Sequence, residues 1–199
     1  MAVISRGFTG RRREPHDDLP PGQYLTKDFP VLSAGPTPRI DTADWSFLVA
    51  TESGPVHKWN WQQLQDLGPE DIATDIHCVT RWSKLGTSWR GVSLDKIFAT
   101  VDTSYEYVMA NSYGGYTTNI PLTDLLDGKA WIATEFDGQP LDPEHGGPAR
   151  LLVPHLYFWK SAKWVSGLQL TDHDEPGFWE SNGYHNHGDP WLEQRYQGD

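Results

Sequence analysis

DIHCVTRWSKLGTSWRGV, residues 75–92, carries the only cysteine of a 199-residue chain, Cys78. Residues 75–79 read as the end of a strand, and the polar run 80–89 reads as a loop. Arg81, Lys84 and Arg90 come within twelve residues of the cysteine. Positive neighbours lower a thiol pKa, and the thiolate is both a nucleophile and a soft metal ligand. A lone cysteine is equally well read as a small buried hydrophobe of a strand. On the residues alone the two readings balance.

Across the whole chain, 37% hydrophobic and 22% charged residues suffice for a buried core, and 199 residues suit one domain. Sixteen Lys and Arg against 27 Asp and Glu leave a net charge of −11. That balance excludes the nucleic-acid binders, which draw their affinity from neutralised phosphates. The charge is uneven: residues 171–199 hold seven acids and one base, and residues 6–13 hold four Arg and no acid. One cysteine rules out an intramolecular disulfide. No apolar run approaches the roughly 18 residues of a membrane span. Arg11-Arg12-Arg13 is followed by Glu14, Pro15 and His16 rather than by the apolar run of an export signal. The expectation is a cytoplasmic protein with an N-terminal arm (1–22), one domain (23–171) and an acidic, aromatic strap (172–199) packed on that domain.

Along the domain, residues 45–51, 106–110, 130–136, 150–153 and 164–170 predict strands. Residues 61–67, 93–100 and 121–126 predict short helices, with Asn60 and Gln63 as a capping box, Ser93 as a cap and Pro121 in a first turn. The expected class is α+β, rich in strands. The strap keeps Phe178, Trp179, Tyr184, Trp191 and Tyr196, aromatic anchors that a disordered tail lacks. The chain has ten Trp, and most of them are expected in the core.

Two chemistries compete for Cys78. A Cys–His nucleophile needs a histidine in space, and His57, His77, His145 and His155 are available. A metal centre needs further ligands, and no CxxC or HExxH spacing supplies them. His185-Asn-His187 is a weak chelating pair, more simply read as solvated. A cofactor that brings its own sulfur ligands resolves the shortage.

His77-Cys-Val-Thr-Arg-Trp82 resembles the molybdenum-ligating loop of the sulfite oxidase family, which includes methionine-sulfoxide-reductase-like bacterial members. Three further matches lie downstream. Tyr116-Thr-Thr-Asn-Ile-Pro-Leu122 resembles the loop with the substrate-pocket tyrosine. His145-Gly-Gly-Pro-Ala-Arg-Leu-Leu-Val-Pro154 resembles the segment leading into a cofactor-binding strand. Lys160-Ser-Ala-Lys-Trp164 is similar to the segment that closes over the cofactor phosphate.

The resemblance implies a sulfite-oxidase-type molybdopterin-binding fold and a molybdenum held by one pterin dithiolene and by Cys78 as its only protein ligand. It implies cofactor contacts from Thr80, Ser112, His145, Arg150, Ser161, Ala162 and Lys163, with Tyr116 and Arg81 facing the substrate. A planar Arg fork and a Lys point charge suit the phosphate dianion. The implied activity is two-electron oxygen-atom transfer on a small polar or anionic molecule, with an electron donor or acceptor protein as partner. The alternative is a non-catalytic molybdopterin carrier or electron-transfer subunit. The stretch Phe29-Pro-Val-Leu-Ser33 lacks the family's Arg- and His-bearing sulfite motif, so sulfite is not the expected substrate.

Overall fold

The computed structural model describes residues 18–199. Arg11-Arg12-Arg13 and most of the 1–22 arm lie outside the described residues. In chain order the elements are β1 (Tyr24–Leu25), β2 (Ser46–Thr51), β3 (Gly54–Asn60), α1 (Trp61–Asp66), β4 (Glu70–His77), β5 (Trp82–Ser93), α2 (Leu94–Phe98), β6 (Tyr107–Ser112), β7 (Thr117–Pro121), β8 (Trp131–Phe136), β9 (Gln139–Pro140), β10 (Arg150–Leu152) and β11 (Val165–Thr171). The molecule is rich in strands, as expected; with α-helices of only six and five residues, a mostly-β description fits it as well as the expected α+β class.

The strands form two sheets. One runs β1-β5-β8-β10, with β4 added on β5 and β9 on β8; the other runs β3-β2-β11-β6-β7. Alternation decides which core each residue joins. On β8 Ile132 enters the core shared with the second sheet, and Ala133 the core on the other face. On β10 Leu151 and Leu152 divide in the same way. Both faces of the first sheet are therefore covered here, which is why apolar residues stand at successive positions, Ile132-Ala133 and Leu151-Leu152, rather than alternating. The sheet's tightest approach is at Gly91, where a Cβ would meet the Ile132 carbonyl oxygen at 2.5 Å.

Both caps form as expected. Gln63 N–H donates to Asn60 Oδ1 and Asn60 N–H to Gln63 Oε1, each at 2.9 Å. Ser93 Oγ accepts from Asp95 N–H at 3.2 Å. Three expectations are corrected. The polar run 80–89 is not a loop: from Trp82 it is most of β5, whose buried Trp82, Ser83, Thr87 and Trp89 are interleaved with exposed Gly86 and Ser88. Its polarity is that of a half-exposed strand. The helix expected at 121–126 is a single 3-10 turn, Leu122–Asp124. Between the expected strand 106–110 and the expected helix 121–126 a further strand intervenes, because residues 117–121 pair with β6.

Of the expected aromatic anchors only Trp179 and Tyr184 pack inward, whereas Phe178, Trp191 and Tyr196 are exposed, and polar anchors do the rest. Glu180 is fully buried and pairs with fully buried Lys160 at 2.7 Å. Its Oε1 also accepts from Thr118 Oγ1 and Trp159 Nε1, both at 2.8 Å. Arg195 donates to the Val79 carbonyl at 2.8 Å. His187 reaches Asp124 at 3.0 Å, and His155 reaches the same carboxylate at 3.2 Å. Among the described residues no group of three or more His, Cys, Asp or Glu is arranged to hold a metal ion; His187 ties the strap to Asp124, and His185 Nδ1 accepts from the His187 and Gly188 N–H groups within the strap at 3.1 Å.

The hydrogen bond to Asp124 raises the His187 pKa above its ordinary value, against the opposing effect of burial. A raised folded-state pKa contributes stability that is complete below about pH 6.5 and is lost as the pH climbs through the raised value. The side chain is 39% exposed, so solvent screening keeps the effect within about 1 kcal/mol. His187→Gln is accordingly expected to lower unfolding stability at acidic pH and to match the parent at alkaline pH. Urea titrations across that range check it; a penalty that grows with pH contradicts it.

Candidate functional site

A cavity of about 560 Å³ opens between the end of β4, the start of β10, the segment after it and the strap. Cys78 lies one residue past β4 in a tight turn: its N–H donates to the Trp82 carbonyl at 2.8 Å, and its carbonyl accepts from Arg81 N–H at 2.9 Å. The thiol lines the cavity yet is only 6% exposed. Burial pushes its pKa up, opposed by the Thr80 hydroxyl at 3.1 Å and by the charge of Arg195. The expectation of a thiol lowered by Arg81, Lys84 and Arg90 is thus reversed. Arg90 pairs with Asp71 at 2.8 Å, and Lys84 donates to the Lys27 carbonyl at 2.8 Å. Arg81 sits in the left-handed region at φ 77° and lines a separate cavity with Glu193 and Arg195.

The same lining carries His145, Arg150, Ser161 and Lys163. Arg150 is 1% exposed at the start of β10. Its Nη1 donates to the His145 carbonyl at 2.8 Å and its Nη2 to the Ser161 carbonyl at 2.7 Å. The guanidinium carbon lies 4.0 Å from the Phe158 ring centroid, a geometry that favours a desolvated cation. Burial pulls its pKa down to about 9, which still leaves it charged at neutral pH. Lys163 is drawn down to about 8, by burial first and the repulsion of Arg150 second. Its Nζ donates to the Leu32 and Glu144 carbonyls at 2.8 and 2.6 Å.

Among the described residues neither Arg150 nor Lys163 forms an ion pair. A partly buried pair of cations without a carboxylate is costly unless an anion joins it. His145 stacks on Phe29 with ring centroids 3.9 Å apart, and its buried Nδ1 has no hydrogen-bond partner in the described structure. Burial, then the charges of Arg150 and Lys163, lower its pKa, so the ring is neutral and suited to hydrogen-bonding a ligand. A soft thiol, two uncompensated cations and an orphaned ring nitrogen in one cavity fit an anionic, thiophilic-metal cofactor.

The expected residues divide. Cys78, Thr80, Tyr116, His145, Arg150, Ser161 and Lys163 come together around the cavity. Ser161 Oγ accepts from Val153 N–H at 2.9 Å, which leaves its own proton to donate. Tyr116 donates its hydroxyl proton to the Trp159 carbonyl at 2.7 Å. Burial, then Glu180, raise its pKa well above the ordinary value. Three residues stand apart from this lining. Arg81 faces the other cavity, Ala162 is buried with its carbonyl held by Leu151 N–H, and Ser112 is buried with an unpartnered hydroxyl.

No histidine bonds the Cys78 sulfur among the described residues, since its side-chain partner is Thr80. His77 turns to Ser83 Oγ at 2.8 Å, and His155 to Asp124. His57 stacks against Trp59, and His145 shares the cavity with Cys78 but stacks on Phe29, so no Cys–His pair is formed among the described residues.

Sequence reasoning missed Phe29 and Phe158, which flank His145 and Arg150, and the proline-rich stretch 30–38, which forms part of the wall. The signal for that stretch was present as Pro30, Pro36 and Pro38. Of the tryptophans, Trp82, Trp159, Trp164 and Trp179 line the cavity, whereas Trp59 and Trp61 belong with the inter-sheet core and Trp89 with the other.

Residues 34–179 match the family model described as oxidoreductase molybdopterin binding domain. The chain is 41% identical over 192 residues to the "Uncharacterized oxidoreductase YuiH" of Bacillus subtilis, covering 95% of this chain and 97% of that protein. It is 27% identical to the "Putative protein-methionine-sulfoxide reductase subunit YedZ1" of Azospira oryzae, over 82% of this chain and 64% of that one. It is 31% identical to the mitochondrial sulfite oxidase of Macaca fascicularis, spanning 86% of this chain and 38% of that enzyme. Among solved structures, the sulfane dehydrogenase SoxCD of Paracoccus pantotrophus superposes with a TM-score of 0.61 at 18% identity, covering 69% of this chain and 40% of that one, a likeness of fold.

Proposed function

Because this chain belongs to the sulfite-oxidase-like family of molybdopterin-binding oxidoreductases, we propose that it holds one molybdenum on one pterin dithiolene, with Cys78 as the sole protein ligand. The observation that carries this reading is that Cys78, Arg150 and Lys163 line one cavity, with no carboxylate paired to either cation among the described residues. When bound, the group supplies two-electron redox chemistry coupled to oxygen-atom transfer.

The chain's own residues do the rest. Arg150 is held rigid by two backbone carbonyls and the Phe158 face, and turns its remaining N–H donors to the anionic end of the cofactor. Lys163 leaves its carbonyl partners to add a second charge. His145 offers its Nδ1 and Ser161 its hydroxyl proton to the pterin. Thr80 steadies the sulfur of Cys78 through its hydroxyl. Tyr116, fixed by the Trp159 carbonyl, keeps its oxygen available to orient a small polar or anionic substrate. The aromatic wall from Trp159, Trp179 and Tyr184 excludes water from the reacting end. No helix among the described residues is long and apolar enough to cross a membrane. We place the protein in the cytoplasm, with a separate electron donor or acceptor protein as its partner.

The test is elemental analysis of protein purified from a molybdenum-replete host, with electron paramagnetic resonance of the partly reduced sample. The expected result is about one molybdenum per chain and a single-electron molybdenum signal. Protein with only traces of the metal, after growth in which a control molybdenum enzyme is loaded, overturns the reading.

A further inference from the structure

The strap beyond residue 179 lies outside the residues matched by the family model, and it presents Trp191, Leu192 and Tyr196 to solvent at 54, 67 and 51% exposure. Large apolar side chains gathered in this way mark an interaction surface.

Two lines of ring contact lead inward from them. Tyr196 lies 5.5 Å from Tyr184 between ring centroids, and Tyr184 lies 5.2 Å from Trp159; both inner rings line the cavity. Trp191 meets His77, the residue before Cys78, edge to face at 6.2 Å. On the other side of Cys78, Arg195 clamps the Val79 carbonyl at 2.8 Å. The patch is therefore the outer surface of the wall that holds the thiol.

We propose that this patch docks a one-electron carrier protein with a basic face, and that its ring contacts are the path for electrons between that carrier and the cavity. The proposal rests on the oxidoreductase reading above. In the oxidising direction a substrate and one water give the oxygenated product, two protons and two electrons. Two carrier molecules in turn each take one electron, and the reducing direction reverses the same balance. The rings conduct by tunnelling through packed contacts and keep their own redox state.

Charge selects the occupant. The strap that carries the patch, residues 171–199, holds seven acids against one base, Arg195, which is buried and paired to Glu193 at 3.5 Å; Asp199 edges the patch beside its one exposed base, Arg81. With −11 on the whole chain, a second copy is repelled and a basic protein is drawn in.

The probe is cytochrome c, a lysine-rimmed haem protein, titrated calorimetrically into the purified chain at low and at physiological salt; this readout needs no bound metal. The expected result is binding that weakens with salt and falls about tenfold in Trp191→Ala/Leu192→Ser. Leu192→Asp alone, at the most exposed position, serves as the second variant. In molybdenum-loaded protein, electron exchange with cytochrome c falls by a similar factor in the variants, while exchange with reduced methyl viologen is unchanged. Equal binding by parent and variants overturns the proposal, as does a parent dimer that the variants dissociate. Loaded protein with no patch dependence refutes the docking surface alone, and patch-dependent binding by protein that takes up no molybdenum refutes the cofactor reading alone.

Discussion

Cys78→Ser is expected to yield a folded protein that keeps less than about one-tenth of the parent's molybdenum and a correspondingly small share of its oxygen-atom-transfer activity. The fold does not depend on the sulfur. Cys78 is a small residue in the second core, and its side-chain partner, the Thr80 hydroxyl at 3.1 Å, also accepts a serine hydroxyl. The change is one of softness: a hydroxyl is a hard, weakly acidic donor, and under the proposed ligation a thiophilic metal would lose its only protein anchor. Circular dichroism and urea midpoint separate this from unfolding, since both are expected to stay near parental values. Full metal retention by the serine variant would remove Cys78 from the ligand set. Thr80→Val, which deletes the hydroxyl beside the sulfur and keeps the shape, is the graded control.

The second large effect concerns the strap. Lys160→Ala is expected to destabilise the protein by about 3–5 kcal/mol, because it leaves Glu180 charged and unpaired in the interior. At this chain length that corresponds to a fall in Tm on the order of 10 °C. Lys160 donates to Glu180, to the Asn119 side chain and backbone carbonyl, and to the Asn186 carbonyl, so one ammonium closes the strap onto β7. The burial that depresses its pKa is opposed by Glu180. Lys160→Met/Glu180→Gln removes both charges while keeping an acceptor for Thr118 and Trp159, and is expected to recover much of the loss. The functional consequence comes from position. Trp179 and Tyr184 flank Glu180 in the chain and line the cavity, so a loosened strap opens its wall. Faster alkylation of Cys78 by iodoacetamide in Lys160→Ala reads this directly. A loss below about 1 kcal/mol with unchanged alkylation would show that the strap is held elsewhere.

The wall and the chemistry it lines differ in how plainly the chain announces them. β4 ends at His77, within the 75–79 stretch read as a strand end, and Cys78 comes next at the cavity. The caps at Asn60 and Ser93 are equally local: each is a side chain bonding a backbone N–H two or three residues away. The motif around Arg150 and Lys163 names both cavity cations. Lys160, in the same short motif as Lys163, turns the other way, neutralising Glu180 of the strap. The difference between the two lysines lies in the groups that the chain brings to each from 19 or more residues away.

Family membership, the strand-rich class, the single thiol and the cationic residues of the cavity motif are all legible in the residues alone. They are carried by residue types at short spacing, where sterics and hydrogen bonding act between near neighbours. That β5 is a strand rather than a polar loop is a tertiary matter, since pairing with β1, β4 and β8 satisfies its backbone. Folding also turned Arg81 away and drew Arg195, far along the chain from Cys78, against the adjacent Val79 carbonyl. It raised the thiol pKa where nearby bases suggested lowering it, because desolvation is set by the groups packed over a side chain and not by its neighbours in sequence.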